Sequence, residues 1–431
     1  MRRFRLIAGL GAAALVLAAC GGGQQAAQPS GSPSGTRSAG GEVEVFTWWT
    51  EGGEKAGLDA LVGVFQKQHP GFTFVNGAVA GGAGSNAKNV LASRLQSGEP
   101  PATFQAHAGQ ELADYIAAGQ IQPVTDLYQQ EGWNKVFPKD LLNLLTSKGD
   151  IYSVPANIHR ANVVWANPKV LAKAGITTTP TSIAAWIKDM RTLQSKGVET
   201  PLAVATDWTQ VHLLETVLIA DLGADAYIGL WNGKTDWGSA SVTKALTDYK
   251  TLLSFANTDR AGLDWPDATQ YVIDGKAAYT VMGDWVAATL DSQKLVMDKD
   301  WTWFPVPGTQ GVFDFLADSF VMPTKGPNPA GTTAWLQTVG SAAGQKAFNL
   351  RKGSIPARTD ANPADYPAYQ QAAMADFSSG TIVPSLAHGA AAPIAWLTDI
   401  TSAVGQFGTH PDVATLQDQL VAAATSQTKA G

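Results

Sequence analysis

Several separate stretches of this sequence set aromatic rings beside carboxylates, amides or imidazoles. In VEVFTWWTEGGE, residues 43–54, a short apolar run ends in Trp48 and Trp49, and Glu51 and Glu54 follow around two glycines. LDWPDATQ (263–270) holds Trp265 between two aspartates, and GKAAYTVMGDW (275–285) ends in Asp284 and Trp285. FQAHAGQE, VPANIHRANV, FLADSF, LRKGSIPAR and SLAHGAAAP add Gln105, His107, His159, Asp318, Lys352 and His388. An indole face is flat, apolar and slightly negative, whereas carboxylate, amide and ammonium groups make directed hydrogen bonds. Together they make an apolar wall beside hydrogen-bonding groups, a surface on which a small molecule can dock.

Other chemistries have less footing. GLWNGKT (229–235) is one residue too short between Gly229 and Gly233 for a phosphate-binding P-loop and lacks a preceding apolar strand, so it reads as a turn. GGAG (81–84) lacks the lysine and the spacing of a nucleotide loop. His69, His107, His159, His212, His388 and His410 show no metal-ligand spacing, so no metal is expected. No serine nucleophile elbow occurs, and no cofactor is expected.

The elements that must position these residues alternate between helix and strand. SNAKNVLASRLQSGEPP reads as a helix with Ser85 or Asn86 as cap, Val90, Leu91 and Leu95 on one face, and Gly98 with two prolines to stop it. TSIAAWIKDMRTLQSKG puts Ile183, Trp186, Ile187, Met190 and Leu193 on one helical stripe ended by Gly197. NPKVLAKAG begins with Asn167 as cap and Pro168 in the first turn. Between the helices lie short strand-like runs: FTFVNGAV, ANVVWAN, PLAVAT, AAYTVMG and SFVMP. Such alternation implies an α/β fold with open sheets and functional groups on the loops at strand ends.

The start of the chain reads differently. Arg2, Arg3 and Arg5 precede the twelve-residue apolar run LIAGLGAAALVL, which is too short to span a bilayer and reads as a signal peptide. It ends in LAAC, similar to the lipobox of bacterial lipoproteins, in which cleavage precedes the cysteine and the thiol is lipidated. Residues 1–20 are thus expected to be a leader and Cys20, the only cysteine, an anchor. Residues 21–42, rich in Gly, Ser, Pro and Gln, cannot bury a core and read as a flexible tether with a reach of roughly 25 Å. Without the leader arginines the formal charge of −6 becomes −9, which argues against a nucleic-acid partner. Roughly 390 residues remain, enough for two lobes.

Taken together, the motifs resemble those of the extracellular solute-binding proteins of sugar importers driven by an ATP-binding cassette. GKAAYTVMGDW and KGSIPAR resemble signatures of the wider family. The Trp pair with Glu54, GGAGSNA, TFQAHAGQEL, VPANIHRAN, PGTQGVF and HGA resemble the glucose/mannose-binding receptors. The resemblance runs from about residue 43 to the C-terminus and implies a two-lobed, hinged, periplasmic-binding-protein-like fold with its ligand cleft between the lobes. One lobe is assigned 43–154 and 309–354, the other 155–308 and 355–431.

The resemblance also implies roles. Trp48, Trp265 and Trp285 would stack on a sugar ring; Glu54 and Asp318 would accept from its hydroxyls, and Lys352 would donate. Gln105, His107, His159 and His388 would do either, and Gly81 and Gly82 would let backbone approach the ligand. It implies a monomeric receptor, lipid-anchored on the outer face of the cell membrane, that passes a monosaccharide to permease subunits. Blander readings stand beside these. Trp49 points away from Trp48 into a core, and Trp186 and Trp335 belong to helical stripes. Asp284 suits either a helix cap or a ligand contact. An enzyme using Glu54, Asp284 or Asp318 as paired carboxylates is the contrasting possibility, since glycoside hydrolysis needs two carboxyl groups, one with a raised pKa.

Overall fold

The computed structural model describes residues 40–81 and 84–430. The leader, Cys20, nearly all of the tether and Gly82 lie outside the described residues. The first strand, Gly41–Phe46, begins two residues before the expected tether boundary, because Gly41 is already in register with Phe72 of strand Phe72–Asn76.

Those two strands run parallel, and Gly41–Phe46 pairs on its other side with Thr103–His107, also parallel. Strand Asp318–Pro323 then joins antiparallel, with Asp318 opposite His107 and Phe320 opposite Gln105. Ile121–Gln122 and Ser153–Pro155 complete this six-stranded sheet. Thr103–His107 is buried on both faces, as a central strand covered by helices should be. Its core includes Val43, Val45, Phe104, Phe320, Trp335 and Phe348.

A second sheet, of four strands, is ordered Leu202–Ala203, Tyr279–Val281, Val163–Ala166 and Thr302–Pro305. Its core gathers Trp186, Leu214, Tyr249 and Ile400. A small sheet is formed by His159–Arg160, Val312–Leu316 and Thr381–Pro384, and its first two strands lie on chain that passes from one large sheet to the other.

Helix Ile183–Ser195 buries the five residues expected of it, and Ser182 accepts from the Ala185 N–H as its cap. Asn167 caps Pro168–Ala174 by accepting from Lys169 and Val170. Helix Ser85–Ser97 departs from expectation: only Ala87 and Leu91 are buried, Val90 is exposed, and the cap position is Gly84. Asn86 instead donates to the Ala80 carbonyl and ties the preceding loop. Gly229, Leu230 and Trp231 finish helix Ala224–Trp231, and residues 232–235 turn back on it, with the Lys234 and Thr235 N–H groups returning to the Gly229 carbonyl, so the stretch is a helix end and turn rather than a turn throughout. No helix among the described residues is long and apolar enough to cross a membrane.

Candidate functional site

In an open parallel sheet, ligand-binding groups collect beyond the carboxyl ends of the strands. Here strand Gly41–Phe46 runs out into Thr47 and Trp48, Thr103–His107 ends on His107, and the antiparallel Asp318–Pro323 starts at the same edge. A cavity of ≈ 50 Å³ opens there, lined among others by Trp48, Glu54, Gly81, His107, His159, Trp265, Trp285, Asp318, Lys352 and His388. A groove of ≈ 1370 Å³ lies elsewhere, between helices Ser85–Ser97 and Gln110–Ala117 and the helices Ala224–Trp231 and Ile394–Thr409. Volume alone favours the groove. The small cavity is the better candidate because buried, convergent ionisable groups with shifted pKa values gather around it.

Glu54 and Lys352 reach the cavity through a close helix contact. Helix Gly52–Gln68 lies against Ala342–Lys352, and a Cβ on Gly57 would stand 3.0 Å from the Phe348 ring, which would have to give by a few tenths of an ångström, so glycine suits the close approach. Glu54 sits in the first turn of one helix and Lys352 in the last turn of the other, the favoured ends for their charges. Lys352 Nζ donates to Glu54 Oε1 at 2.6 Å and lies 5.4 Å from the Trp285 ring centre.

Asp318 is the hub of the polar network. Its carboxylate accepts from Gln105 Nε2 and Asn157 Nδ2, both at 2.8 Å, with His159 Nε2 at 3.2 Å and His107 Nε2 at 3.5 Å. Burial pushes its pKa up, but His159, Lys352 and His107 more than offset this and hold it well below the usual carboxylate range. His159 is in turn fixed from behind by Asp284, whose carboxylate accepts from His159 Nδ1 and from the Arg160 N–H. Burial and Lys352 lower the His159 pKa, yet Asp284 and Asp318 together outweigh them and the net shift is upward. Asp284 is therefore neither a helix cap nor a wall of the cavity; it orients an imidazole.

His107 Nδ1 donates to Glu111 at 2.9 Å, and Lys88 donates to the same carboxylate at 2.8 Å. Burial raises the Glu111 pKa, but Lys88 and His107 reverse that and bring it to about 2. Gln105 does not stand in the wall. Its carbonyl accepts from Thr47 and the Trp48 N–H while its amide donates to Asp318, so both ends are used behind the cavity.

The aromatic rings come from both sides. Trp48 lies 5.0 Å from His107, and Trp285 meets Trp265 edge to face at 6.4 Å. Trp265 opens helix Trp265–Ile273, which Asp264 and Asp267 close with a reciprocal capping box. Trp49 is fully buried against Phe320 and Phe348, as are Trp186 and Trp335 in their cores. Gly81 is at the cavity with φ +102°, and Gly84 joins it with φ +93° and its missing Cβ 2.7 Å from Trp48.

The sequence reading missed Thr50, Glu51, Gly84, Trp208, Asp264 and Leu316 in the lining. Trp208 Nε1 donates to Asp264, linking the start of helix Asp207–Leu222 to the Trp265 cap. It also missed His212 and Glu215, which lie behind His388 with ligand-type atoms within 4.8 Å of one another. A titratable pair three residues apart within the largely apolar run from Val211 to Ile219 was the available signal. As a metal set this trio is already engaged: His212 Nδ1 meets His388 Nε2, and Glu215 accepts from Ser385 and from the Leu386 and Ala387 N–H groups.

Residues 41–346 match the bacterial extracellular solute-binding protein family. The chain is 36% identical over 416 residues to an uncharacterized ABC transporter extracellular-binding protein of Pyrococcus horikoshii, covering 95% of this chain and 92% of the relative. It is 30% identical to the xylose/arabinose-binding protein XacG of Haloferax volcanii, covering 89% and 84%. Its fold superposes with a TM-score of 0.78 on the bacterial solute receptor AcbH, at 21% identity and with 90% and 99% of the two chains covered. The chain belongs to the bacterial extracellular solute-binding proteins.

Proposed function

We propose that this protein is a sugar receptor of an ABC-type importer and that it captures a monosaccharide, glucose foremost, in the cavity lined by Trp48, Trp265, Trp285, Glu54, Lys352, Asp318 and His388. The observation that carries the reading is the convergence, from segments far apart in sequence, of indole rings and ion-paired groups on one enclosed site. Ring faces suit the C–H faces of a pyranose, and charged partners suit its hydroxyl rim, at about 1.5–3 kcal/mol per hydrogen bond. Several such bonds with stacked rings reach micromolar affinity, about −8 kcal/mol.

At ≈ 50 Å³ the cavity has room for a few water molecules rather than a sugar ring, and in its wall Glu54 and Lys352 satisfy each other. Binding then requires that lobe 43–154 with 309–354 move relative to lobe 155–308 with 355–431, and that sugar hydroxyls replace these internal partners. The closed form must bind sugar better than the open one. Asp318, held ionised, does not supply the raised-pKa acid a glycosidase needs.

The relative that binds xylose and arabinose makes a pentose the chief competitor of glucose. Calorimetric titration of residues 42–431 with D-glucose, D-mannose, D-galactose and D-xylose tests the reading. One-to-one saturable heat with unaltered sugar is expected, tightest for glucose. Turnover, or no heat with any of the four, defeats the proposal. We further propose that Cys20 carries a lipid that holds the receptor, as a monomer, on the outer membrane face; Cys20→Ala should release it to the medium.

A further inference from the structure

His388 stands in the cavity wall, and behind it lies His212, fully buried on helix Asp207–Leu222. His212 Nε2 is 2.8 Å from the Ala161 carbonyl oxygen. A carbonyl only accepts, so this nitrogen carries a proton. A neutral ring then bears its lone pair on Nδ1, and His388 Nε2 sits 3.2 Å from that atom. Two lone pairs facing each other at this distance repel, so His388 Nε2 is the donor and its own lone pair is left on Nδ1. Burial brings the His212 pKa to about 4, and burial, with Lys88 and the neighbouring imidazoles disfavouring any further positive charge, holds His388 well below the usual imidazole value. Both rings are therefore neutral near pH 7.

We infer that the chain Ala161–His212–His388 locks one tautomer of His388, making this point of the wall an acceptor only, which selects a ligand group that donates. Among the described residues His388 makes its one hydrogen bond through Nε2. Trp208 and Trp285 meet its ring edge to face at 6.0 and 5.2 Å and fix its plane. Glu215 does not compete for the His388 proton, since its oxygens are held by Ser385, Leu386 and Ala387. His212 is a positioning residue: it acts on the ligand only through His388.

The identity of the ligand rests on the sugar-receptor reading, but the tautomer is a property of the unliganded chain. Long-range proton–nitrogen correlation spectra of 15N-labelled residues 42–431 without sugar should show His212 and His388 both protonated on Nε2 and bare on Nδ1. A His388 proton on Nδ1, or two exchanging tautomers, overturns the inference. His212→Leu removes the acceptor and should disturb the His388 pattern and weaken D-glucose binding by about tenfold or more. His212→Gln, whose amide offers both a donor and an acceptor, should restore part of it. Unchanged spectra and affinity in His212→Leu also overturn the inference; if that variant does not fold, the wild-type spectrum decides. Among monodeoxyfluoro-D-glucoses, one position should lose binding as fully as its deoxy counterpart, because fluorine cannot donate. If the chain binds no D-glucose, the sugar reading fails while the spectrum still judges the tautomer.

Discussion

Asp318→Asn is the substitution whose outcome the structure fixes most tightly. The carboxylate accepts from Gln105 and Asn157 at 2.8 Å and lies 3.2 Å from the His159 imidazole. A unit charge pair at that last distance is worth ~5 kcal/mol at an effective dielectric of 20. An amide keeps the shape but loses the charge, and its NH₂ faces donors on one side. His159 then retains Asp284 as its carboxylate partner, with Asn157 Nδ2 still 2.9 Å from its Nε2, and Lys352 retains Glu54. Removing one partner of a buried ionic network costs about 3–5 kcal/mol. With about 2.1 cal/mol/K of unfolding entropy per residue over roughly 390 residues, that loss lowers Tm by about 4–6 °C. Differential scanning calorimetry at pH 7 reads it directly. A variant melting within about 1 °C of the parent would refute the idea that Asp318 anchors the network. Asp318 thus carries stability as well as any contact with sugar, so its binding defect has to be measured on folded protein.

Stability should also depend on pH in a stated direction. Burial raises the Glu215 carboxyl pKa from 4.5 to about 8 and pushes its buried neighbour Asp314 well up with it, so the folded state holds extra protons above about 4.5 and loses stability as pH rises through that window. Glu111, lowered from 4.5 to about 2, does the reverse: its contribution is present above 4.5 and fades as pH falls toward 2. Thermal melts should therefore peak in mildly acidic buffer, and Glu215→Gln should flatten the decline between pH 4.5 and 8; an unchanged slope argues against the shift. Gly84→Ala would strain a residue at φ +93° and drive its Cβ to 2.7 Å from Trp48. A cost of about 1–3 kcal/mol in urea unfolding is expected, and a neutral result would mean the loop yields freely. Asp114 accepts from the Ile394 N–H at 2.8 Å, while the Gln110 and Glu111 N–H groups donate to the Ala390 and Gly389 carbonyls, a reciprocal latch between two helix starts. Asp114→Ala should loosen it by about 1–3 kcal/mol, seen as a larger radius of gyration by small-angle X-ray scattering without sugar; no change would show the latch to be idle.

Local rules carried the framework. The apolar stripe from Ile183 to Leu193 and the Asn167 cap are decided within one or two helical turns, and both stand as read. Val90 was misplaced because helix Ser85–Ser97 buries only a narrow face, and the extent of a face depends on tertiary neighbours. Asp284 and Gln105 show the same limit at the site. Each lies beside a cavity residue in sequence, yet what they touch is set by partners far along the chain, His159 and Asp318. The motifs identified which residues gather; only the fold shows that many of them already satisfy one another.

The most direct test of the central claim is a crystal structure of residues 42–431 grown with D-glucose. The account places the sugar between Trp48 on one side and Trp265 and Trp285 on the other, with Lys352 drawn from Glu54 toward a hydroxyl and His388 accepting from another. Sugar seated instead along the larger groove beside Trp231 and Trp396, with the Glu54–Lys352 pair intact and the small cavity empty, would contradict it.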